Sequence, residues 1–337
     1  MVGRVPGVRR TGLAAVAVAL VLGAAVLAPV SAGAADATTS AAATSRPAAL
    51  TWSPPHGVDL GSVMTSVSCA TSTFCAAVTR KGEAVEFDGR AWSFPVPADP
   101  HPGNSLDSVS CASRTFCMAV DTGGMAVSFD GRSWSAPVTF LPASFGSGGV
   151  TSVSCAAVKH CVAVAEDVAV SFNGTWARPV VVSQPSAPLW SISCPSVKSC
   201  AAVTTAGRPY VLHGRKWSTP VAHGPSKQFL LSVSCPTTRF CVAVGPNSAL
   251  AQFNGRSWQF SRPHGQKVNR SAVSCGSPSF CLGTSSFSPQ VMSFNGSTWS
   301  RGSSVGSLVA LTSVSCVSSR LCVVGAVDGS VVVGRAT

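Results

Sequence analysis

The stretch Ser66-Val67-Ser68-Cys69, followed by Cys75, decides how this chain is organised, because close copies of it recur along the sequence. Each copy ends in a pair of cysteines six positions apart, and successive copies lie about 41 residues apart. The seven pairs are Cys69 and Cys75, Cys111 and Cys117, Cys155 and Cys161, Cys194 and Cys200, Cys235 and Cys241, Cys275 and Cys281, and Cys316 and Cys322. They use all 14 cysteines of the 337-residue chain. A fixed repeat favours one continuous array over two ordinary domains.

One repeat contains four short strand signals joined by tight connections. In the first repeat they are Thr65–Cys69, Phe74–Val78, Ala84–Phe87 and the segment around Trp92. Before the tryptophan stands Asp88-Gly89, and most later repeats have Asp-Gly or Asn-Gly at the same place. Such dipeptides supply the positive backbone angles of a two-residue hairpin. Each repeat is therefore expected to form a four-stranded antiparallel unit.

The cysteine pairs are expected to form disulfides within each repeat. Pairing the first two strands about residue 72 places Cys69 opposite Cys75, and opposed residues of an antiparallel ladder lie at a distance that a disulfide can bridge. Zinc sites have closer cysteine spacing and several ligand groups together, whereas His160 is the one histidine next to a cysteine. No Cys-x-x-Cys-His motif for haem attachment occurs. We expect no metal and no cofactor.

The two ends of the array indicate a closed ring. The last repeat stops after Val331–Gly334, its third strand, and lacks a tryptophan strand. The missing piece precedes the first repeat as Leu50–Ser53, which contains Trp52. An N-terminal strand that completes the last unit closes a ring without a seam. The sequence therefore predicts an all-β, seven-bladed β-propeller with four antiparallel strands and one disulfide in each blade.

Three motifs carry a family resemblance. Ser-Val-Ser-Cys, Phe-Cys-x-Ala-Val, and Ser-Phe-Asp-Gly-Arg-Ser-Trp at Ser128 to Trp134 resemble the repeats of secreted bacterial β-propeller proteins. Those proteins are commonly grouped with WD-repeat-like, YVTN-like and BNR (Asp-box) propellers. The resemblance covers residues 50 to 335 and implies an exported propeller.

The N-terminal region predicts export. Residues 1–35 combine Arg4, Arg9 and Arg10 with an Ala/Val/Leu run and small residues around Ala32, the pattern of a cleaved signal peptide. An uncleaved membrane anchor is the competing interpretation, but the apolar run is short for a spanning helix. Residues 36–49 are almost wholly Ala, Thr, Ser and Pro and are expected to form a linker. Residues 50–337 would then form the propeller of a secreted or cell-surface protein, without stable membrane insertion after cleavage.

Charge is expected to concentrate on one face of the ring. The chain carries 24 Lys and Arg against 12 Asp and Glu, a formal charge of +12. In a propeller, the turns between the first and second and between the third and fourth strands open on one face, here called the hairpin face. That face gathers eleven cations against Asp88 and Asp130. The candidate residues for binding polyanions are Arg114, Lys159, Lys198, Arg239 and Arg320. Their alternative role is a solvated rim, and no specific nucleic-acid recognition is expected.

The opposite face, at the mouth of the central channel, is expected to bind ligand. Trp190 is the one tryptophan outside the repeat pattern, and Asp107 stands at the equivalent position in another blade. Asp121 and the pair Glu166-Asp167 fall in the turns of the same face. A tryptophan near acidic groups suits stacking on a sugar or peptide ring, although it could instead be an aromatic plug between blades.

We therefore predict a secreted, monomeric and non-catalytic binding module for a glycan, a cell-wall polymer or an extracellular protein. The first alternative is a secreted carbohydrate-active hydrolase or lyase that uses acids at the mouth. The second alternative is a structural protein associated with polyanions or the cell wall.

Overall fold

The protein is known from a computed structural model, which describes residues 49–58, 61–101, 103, 105–142, 145, 149–218, 229–261, 269–308 and 310–336. The predicted export signal, 1–35, and all of the predicted linker, 36–49, except its last residue lie outside the described residues. Every secondary-structure element of the described part is a β-strand. No helix in that part could cross a membrane.

The 29 strands form seven antiparallel sheets, which confirms the predicted propeller. Blade 1 contains β3 (Met64–Thr71), β4 (Phe74–Thr79), β5 (Glu83–Phe87) and β6 (Val96–Pro97). Blade 2 contains β7 (Leu106–Ser113), β8 (Phe116–Asp121), β9 (Met125–Phe129) and β10 (Val138–Thr139). Blade 3 contains β11 (Val150–Ala157), β12 (His160–Ala165), β13 (Val168–Phe172) and β14 (Val180–Val181).

The later blades repeat the same order. Blade 4 contains β15 (Leu189–Ser196), β16 (Ser199–Thr204), β17 (Pro209–His213) and β18 (Lys216–Trp217). Blade 5 contains β19 (Ser232–Thr237), β20 (Phe240–Val244), β21 (Leu250–Phe253) and β22 (Trp258–Ser261). Blade 6 contains β23 (Ala272–Ser277), β24 (Phe280–Thr284), β25 (Gln290–Phe294) and β26 (Ser303–Ser304). Blade 7 contains β27 (Leu311–Ser318), β28 (Leu321–Ala326), β29 (Ser330–Ala336), β1 (Leu50–Trp52) and β2 (His56–Gly57).

The N-terminal strand closes the ring, as the sequence predicts. β1 pairs antiparallel with β29, and Trp52 lies opposite Gly334. β2 continues along the same edge, with His56 opposite Val331. The last blade therefore takes its outer strand from the N-terminal segment that precedes the first repeat.

The outer strands are interrupted after the tryptophan in several blades. In blade 1 the tryptophan makes a single bridge, Phe87 to Trp92, and pairing resumes only at β6. Proline has no N–H to donate to a ladder, and a proline follows the tryptophan closely in blades 1, 2 and 3, at Pro95, Pro137 and Pro179. Blade 5 has no such proline, and its outer strand is continuous from the tryptophan onward.

The Asp-Gly turns differ from the prediction in one respect. Gly89 has a φ of 99°, but Asp88 does not have a positive φ. Instead, the Asp88 carboxylate accepts hydrogen bonds from the N–H groups of Arg90 and Ala91, each at 2.8 Å. The N–H of Ala91 and then that of Arg90 lower the pKa of Asp88. The acid therefore shapes the turn through its side chain, while the glycine alone supplies the positive angle.

All seven predicted disulfides are present, and the described residues include no free cysteine. In the first blade Cys69 lies directly opposite Cys75, as expected from pairing about residue 72. The two Cα atoms are 3.9 Å apart. In each blade the disulfide therefore links the two strands of the innermost hairpin.

The two serines of the repeat motif join neighbouring blades. The second serine of each blade accepts a hydrogen bond, 2.9 Å long in every case, from the N–H of the first cysteine in the next blade. In blade order, the acceptors are Ser68, Ser110, Ser154, Ser193, Ser234, Ser274 and Ser315. The first serine makes a similar bond, for example from Val109 N to Ser66 Oγ at 3.2 Å. We call the seven serine-to-cysteine bonds the serine clasps.

Blade 6 departs from the repeat at a buried position. Five residues before the first cysteine, the other blades bury an apolar side chain: Met64, Leu106, Val150, Leu189, Leu230 and Leu311. Blade 6 has Arg270 there, and it is 2% exposed. Its guanidinium carbon lies 4.8 Å from the centroid of the Trp299 ring, and Nε and Nη1 have no hydrogen-bond partner in the described part of the chain. Burial lowers the pKa of Arg270 to about 10.

We predict that Arg270→Met stabilises the protein. It restores the apolar residue of the other blades and removes a buried charge, two of whose nitrogens lack a hydrogen-bond partner in the described part of the chain, so the free energy of unfolding should rise by about 1–3 kcal/mol. Guanidinium chloride unfolding without reductant measures the change, and Arg256→Met in an exposed turn is the control. A lower unfolding midpoint for Arg270→Met than for the wild type would contradict the prediction.

Candidate functional site

Seven side chains, one from each blade, surround a pocket of 340 Å³ at the mouth of the central channel. Each stands four residues before the first cysteine of its blade, where the innermost strand begins. They are Thr65, Asp107, Thr151, Trp190, Leu231, Ser271 and Thr312. We call this space the mouth pocket. The innermost strands therefore bring together Asp107 and Trp190, two of the predicted ligand-binding residues.

Trp190 is exposed in the mouth pocket. Its side chain is 44% exposed, whereas the preceding residue, Leu189, is completely buried. Trp190 lies at a β-bulge, between Leu189 and Ser191 in the pairing register, and it lines the mouth pocket. The alternative interpretation of Trp190 as a plug buried between blades is therefore wrong. An indole with open surface is available for stacking.

Asp107 is the one charged residue among the described side chains that line the mouth pocket. Ser105 Oγ donates a hydrogen bond to Asp107 Oδ1 at 2.8 Å. Burial raises the pKa of Asp107, and the Ser105 hydrogen bond and the positive charge of Arg80 offset part of that rise. The carboxylate is held in place at the edge of the pocket, where it can accept hydrogen bonds from a ligand.

Most threonines of the mouth pocket hold neighbouring blades together. Thr65 Oγ1 donates to the carbonyl oxygens of Val78 and Leu106, which belong to adjacent blades. Thr151 Oγ1 has equivalent acceptors in Val164, at 3.3 Å, and Leu189, at 3.1 Å. These hydroxyls are committed to the backbone, so Asp107 is the principal group left to fix the orientation of a ligand.

The other predicted ligand-binding acids lie away from the mouth pocket. Glu166 and Asp167 form the turn between β12 and β13, and Glu166 has a φ of 47°. Their backbone carbonyls accept hydrogen bonds from Leu189 and Val182 at 2.6 and 2.8 Å. Asp121 ends β8 and is 1% exposed. The structure does not bring these three acids to the pocket that holds Asp107.

Asp121 belongs to a buried carboxyl pair that the sequence analysis missed. It is hydrogen-bonded to Asp99, which is 3% exposed and comes from the connection between blades 1 and 2. Asp99 Oδ1 lies 2.8 Å from His101 Nδ1. Burial, with the hydrogen bond and negative charge of Asp99, raises the pKa of Asp121 to about 6. The two acids belong to different blades, so the spacing along the chain carries no signal of their contact.

The five predicted polyanion-binding residues are all exposed in the turns between the first and second strands of their blades. Lys159 has a φ of 59° in such a turn. Lys198 also lines a groove between blades 3 and 4. Within the described residues, no group of three or more His, Cys, Asp or Glu side chains could hold a metal ion.

The fold and the mouth pocket define the class of protein as a seven-bladed β-propeller. No family model matches the chain, and no curated protein matches it in sequence. Solved structures share its fold. The WD40 β-propeller domain of Doa1 superposes with a TM-score of 0.70 at 12% identity, covering 86% of this chain and 98% of that one. YCF48 from Cyanidioschyzon merolae gives 0.64 at 14% identity, covering 84% and 99%. YCF48 bound to D1 peptide gives 0.66 at 15% identity, covering 88% and 99%.

We predict that Asp121 makes stability depend on pH. Its pKa is about 6 in the folded protein and ordinarily 3.8, so the folded state holds a proton that the unfolded state has lost. The resulting stabilisation is complete below about pH 4 and disappears as the pH rises through about 6. The wild-type Tm should therefore decrease as the pH rises from about 4 to about 6, and the decrease should be smaller in Asp121→Asn.

Asp130→Asn is the control, because N–H groups of Ser133 and Arg132 lower the pKa of Asp130 below 3.8, so the folded protein loses that proton below the range in which Asp121 titrates. Its Tm should follow the wild type in that range. If the Tm of Asp121→Asn decreased with pH as much as that of the wild type, another group would be responsible for the pH dependence.

Proposed function

We propose that this protein is a non-catalytic binding module whose ligand, a glycan or a protein segment, occupies the mouth pocket. The observation that carries the proposal is the exposed Trp190 indole in the same pocket as Asp107. An aromatic surface with one fixed acceptor beside it suits a sugar ring or a peptide side chain. Among the seven equivalent positions around the mouth pocket, one carries a tryptophan and one an aspartate. The repeated scaffold therefore has a single place suited to recognition.

The solved structures of the same fold support a binding role. One of them, YCF48, is bound to D1 peptide, and another is the WD40 propeller domain of Doa1. At 15% identity or less, these proteins are similar to this chain in fold alone. They make a protein partner a reasonable ligand for this propeller, alongside the glycan that the indole also suits.

The positions of the acids favour binding over hydrolysis. Glycoside hydrolysis ordinarily uses two carboxyl groups that flank the scissile bond. Among the described residues, the mouth pocket has one carboxyl, while Asp121 pairs with buried Asp99 and the Glu166-Asp167 turn lies elsewhere. We therefore retain the binding module and not the carbohydrate-active hydrolase or lyase.

We also propose that the protein acts outside the cytoplasm. Seven disulfides fit an oxidising environment. Residues 1–35 have the pattern of a signal peptide and residues 36–49 that of a linker. A secreted or cell-surface protein of this design would present its mouth pocket to extracellular glycans, cell-wall polymers or proteins.

We predict that Trp190→Ala weakens ligand binding by at least about tenfold, because stacking and apolar contact at a central indole are lost. Glycan and peptide arrays would identify ligands of the purified protein, and calorimetry would compare their Kd values for the wild type and Trp190→Ala. Asp107→Asn should weaken the same ligand with little change in Tm.

The matched control is Phe94→Ala, which removes an aromatic side chain that is 91% exposed and outside the mouth pocket. It should leave the Kd unchanged. Array ligands whose Kd is unaffected by Trp190→Ala would contradict the proposed pocket. Glycan hydrolysis that disappears in Asp107→Asn would contradict the non-catalytic role.

A further inference from the structure

A second binding space opens between blades 3 and 4 at the hairpin face, the face opposite the mouth pocket. The groove has a volume of 690 Å³, in the range of ligand pockets. Apolar side chains line it, among them Val162, Val180, Leu212 and the partly buried Trp217. Val180 is 54% exposed. We call this space the blade 3/4 groove.

The blade 3/4 groove lacks an aromatic pair that fills three of the other blade junctions. At three other blade junctions the residue before the second cysteine is a phenylalanine that stacks on a phenylalanine of the next blade. The pairs are Phe74 with Phe129, Phe116 with Phe172, and Phe240 with Phe294, with ring centroids 5.9, 6.5 and 6.3 Å apart. At the junction of blades 3 and 4 the equivalent residues are His160, which is exposed, and Leu212. The smaller pair leaves the junction open to solvent.

The rim of the blade 3/4 groove is basic. His160, Lys198 and Arg215 line it, and no carboxylate does. Residues 168–327 contain 13 Lys and Arg but no Asp or Glu, so blades 4, 5 and 6 supply no acid at all. Within the described part of the chain, neither Lys198 nor Arg215 takes part in an ion pair. The positive charge of the rim is therefore available to an anionic partner.

A neutral groove of similar size provides an internal comparison. It lies between blades 6 and 7, has a volume of 580 Å³ and is lined by Trp52, Phe280 and Leu282 among others, with no charged residue in its described lining. Incomplete aromatic packing at a junction therefore creates a cavity without creating a basic rim. The combination of an apolar floor with Lys198 and Arg215 at the rim distinguishes the blade 3/4 groove.

We propose that the blade 3/4 groove binds an acidic peptide segment of a partner protein, with a bulky apolar side chain on the groove floor. Carboxylates on either side of that apolar residue would pair with Lys198 and Arg215. Arginine binds carboxylates through two parallel hydrogen bonds, and the apolar floor contributes burial that a purely polar anion could not use. The apolar floor favours a peptide over a nucleic-acid backbone, which would engage the rim alone.

This site is separate from the mouth pocket even though both involve blade 4. Trp190 stands at the start of β15, and Lys198 lies just beyond its end. Eight residues of extended strand span roughly 26 Å. A ligand in one site therefore leaves the other accessible, and Trp190→Ala should not change binding in the groove.

The test uses fluorescence anisotropy with the full protein and a fluorescein-labelled hexapeptide, Glu-Glu-Leu-Phe-Glu-Glu. Two control peptides replace the acids by glutamine or the Leu-Phe pair by Gly-Ser. The acidic, apolar peptide should bind at least about tenfold more tightly than either control. Lys198→Ala/Arg215→Ala should weaken it by about tenfold.

The matched control variant is Arg114→Ala/Arg132→Ala. It removes the same charge from the equivalent turns of blade 2, where Phe116 and Phe172 fill the junction, and it should change the Kd by less than about threefold. A second variant, His160→Phe/Leu212→Phe, restores the aromatic pair, closes the groove and should abolish binding while the Tm is retained.

Three results would overturn the proposal. The acidic, apolar peptide could fail to bind at concentrations up to about 1 mM. The two double alanine variants could weaken binding equally, which would indicate the general positive field of the hairpin face. A labelled oligothymidylate could bind more tightly than the peptide and be lost in His160→Phe/Leu212→Phe, which would make the groove a nucleic-acid site.

Discussion

The structure depends on the hydrogen bond between a serine hydroxyl of one blade and the first cysteine N–H of the next. Innermost strands of neighbouring blades do not pair in a common sheet, so their N–H groups need another acceptor. The serine clasps supply it seven times, including the bond from Cys69 to Ser315 across the closure. The disulfide then holds the same cysteine to its own blade. The motif Ser-x-Ser-Cys therefore stabilises both the single blade, through the disulfide, and the ring, through the hydrogen bond between neighbouring blades.

Much of this architecture could be predicted from the sequence, because it follows from local pattern repeated at a fixed period. Cysteines six residues apart predict the disulfide of each blade, and Trp52 before the first repeat predicts that the N-terminal strand completes the last blade. Trp190 and Asp107 stand at the same position of the repeat, four residues before the first cysteine, so the start of the innermost strand places both at the mouth. These features need no knowledge of how one blade packs against the next.

Features that arise between blades could not be predicted in the same way. The Asp99–Asp121 pair and the blade 3/4 groove both depend on which residues face each other across a junction. The role of the motif serines was missed for the same reason, since their partners are about 40 residues away. Arg270 carries a sequence signal, a charge where the other blades have an apolar residue, but its contact with Trp299 arises from packing between residues that are distant in the sequence. The candidate functional sites of this ring therefore lie where the sequence of one blade differs from that of the others.

The serine clasps are tested most directly by amide hydrogen exchange of the cysteines, followed by NMR on protein labelled with ¹⁵N-cysteine. Exchange rates separate hydrogen-bonded amides of a cooperative core from those that open locally. The first cysteine of each blade should be strongly protected in all seven blades, with Cys69 as slow as Cys194, whose acceptor Ser154 lies within the ring. Rapid exchange at Cys69 alone would contradict a closed ring, and rapid exchange at all seven would contradict the clasps themselves.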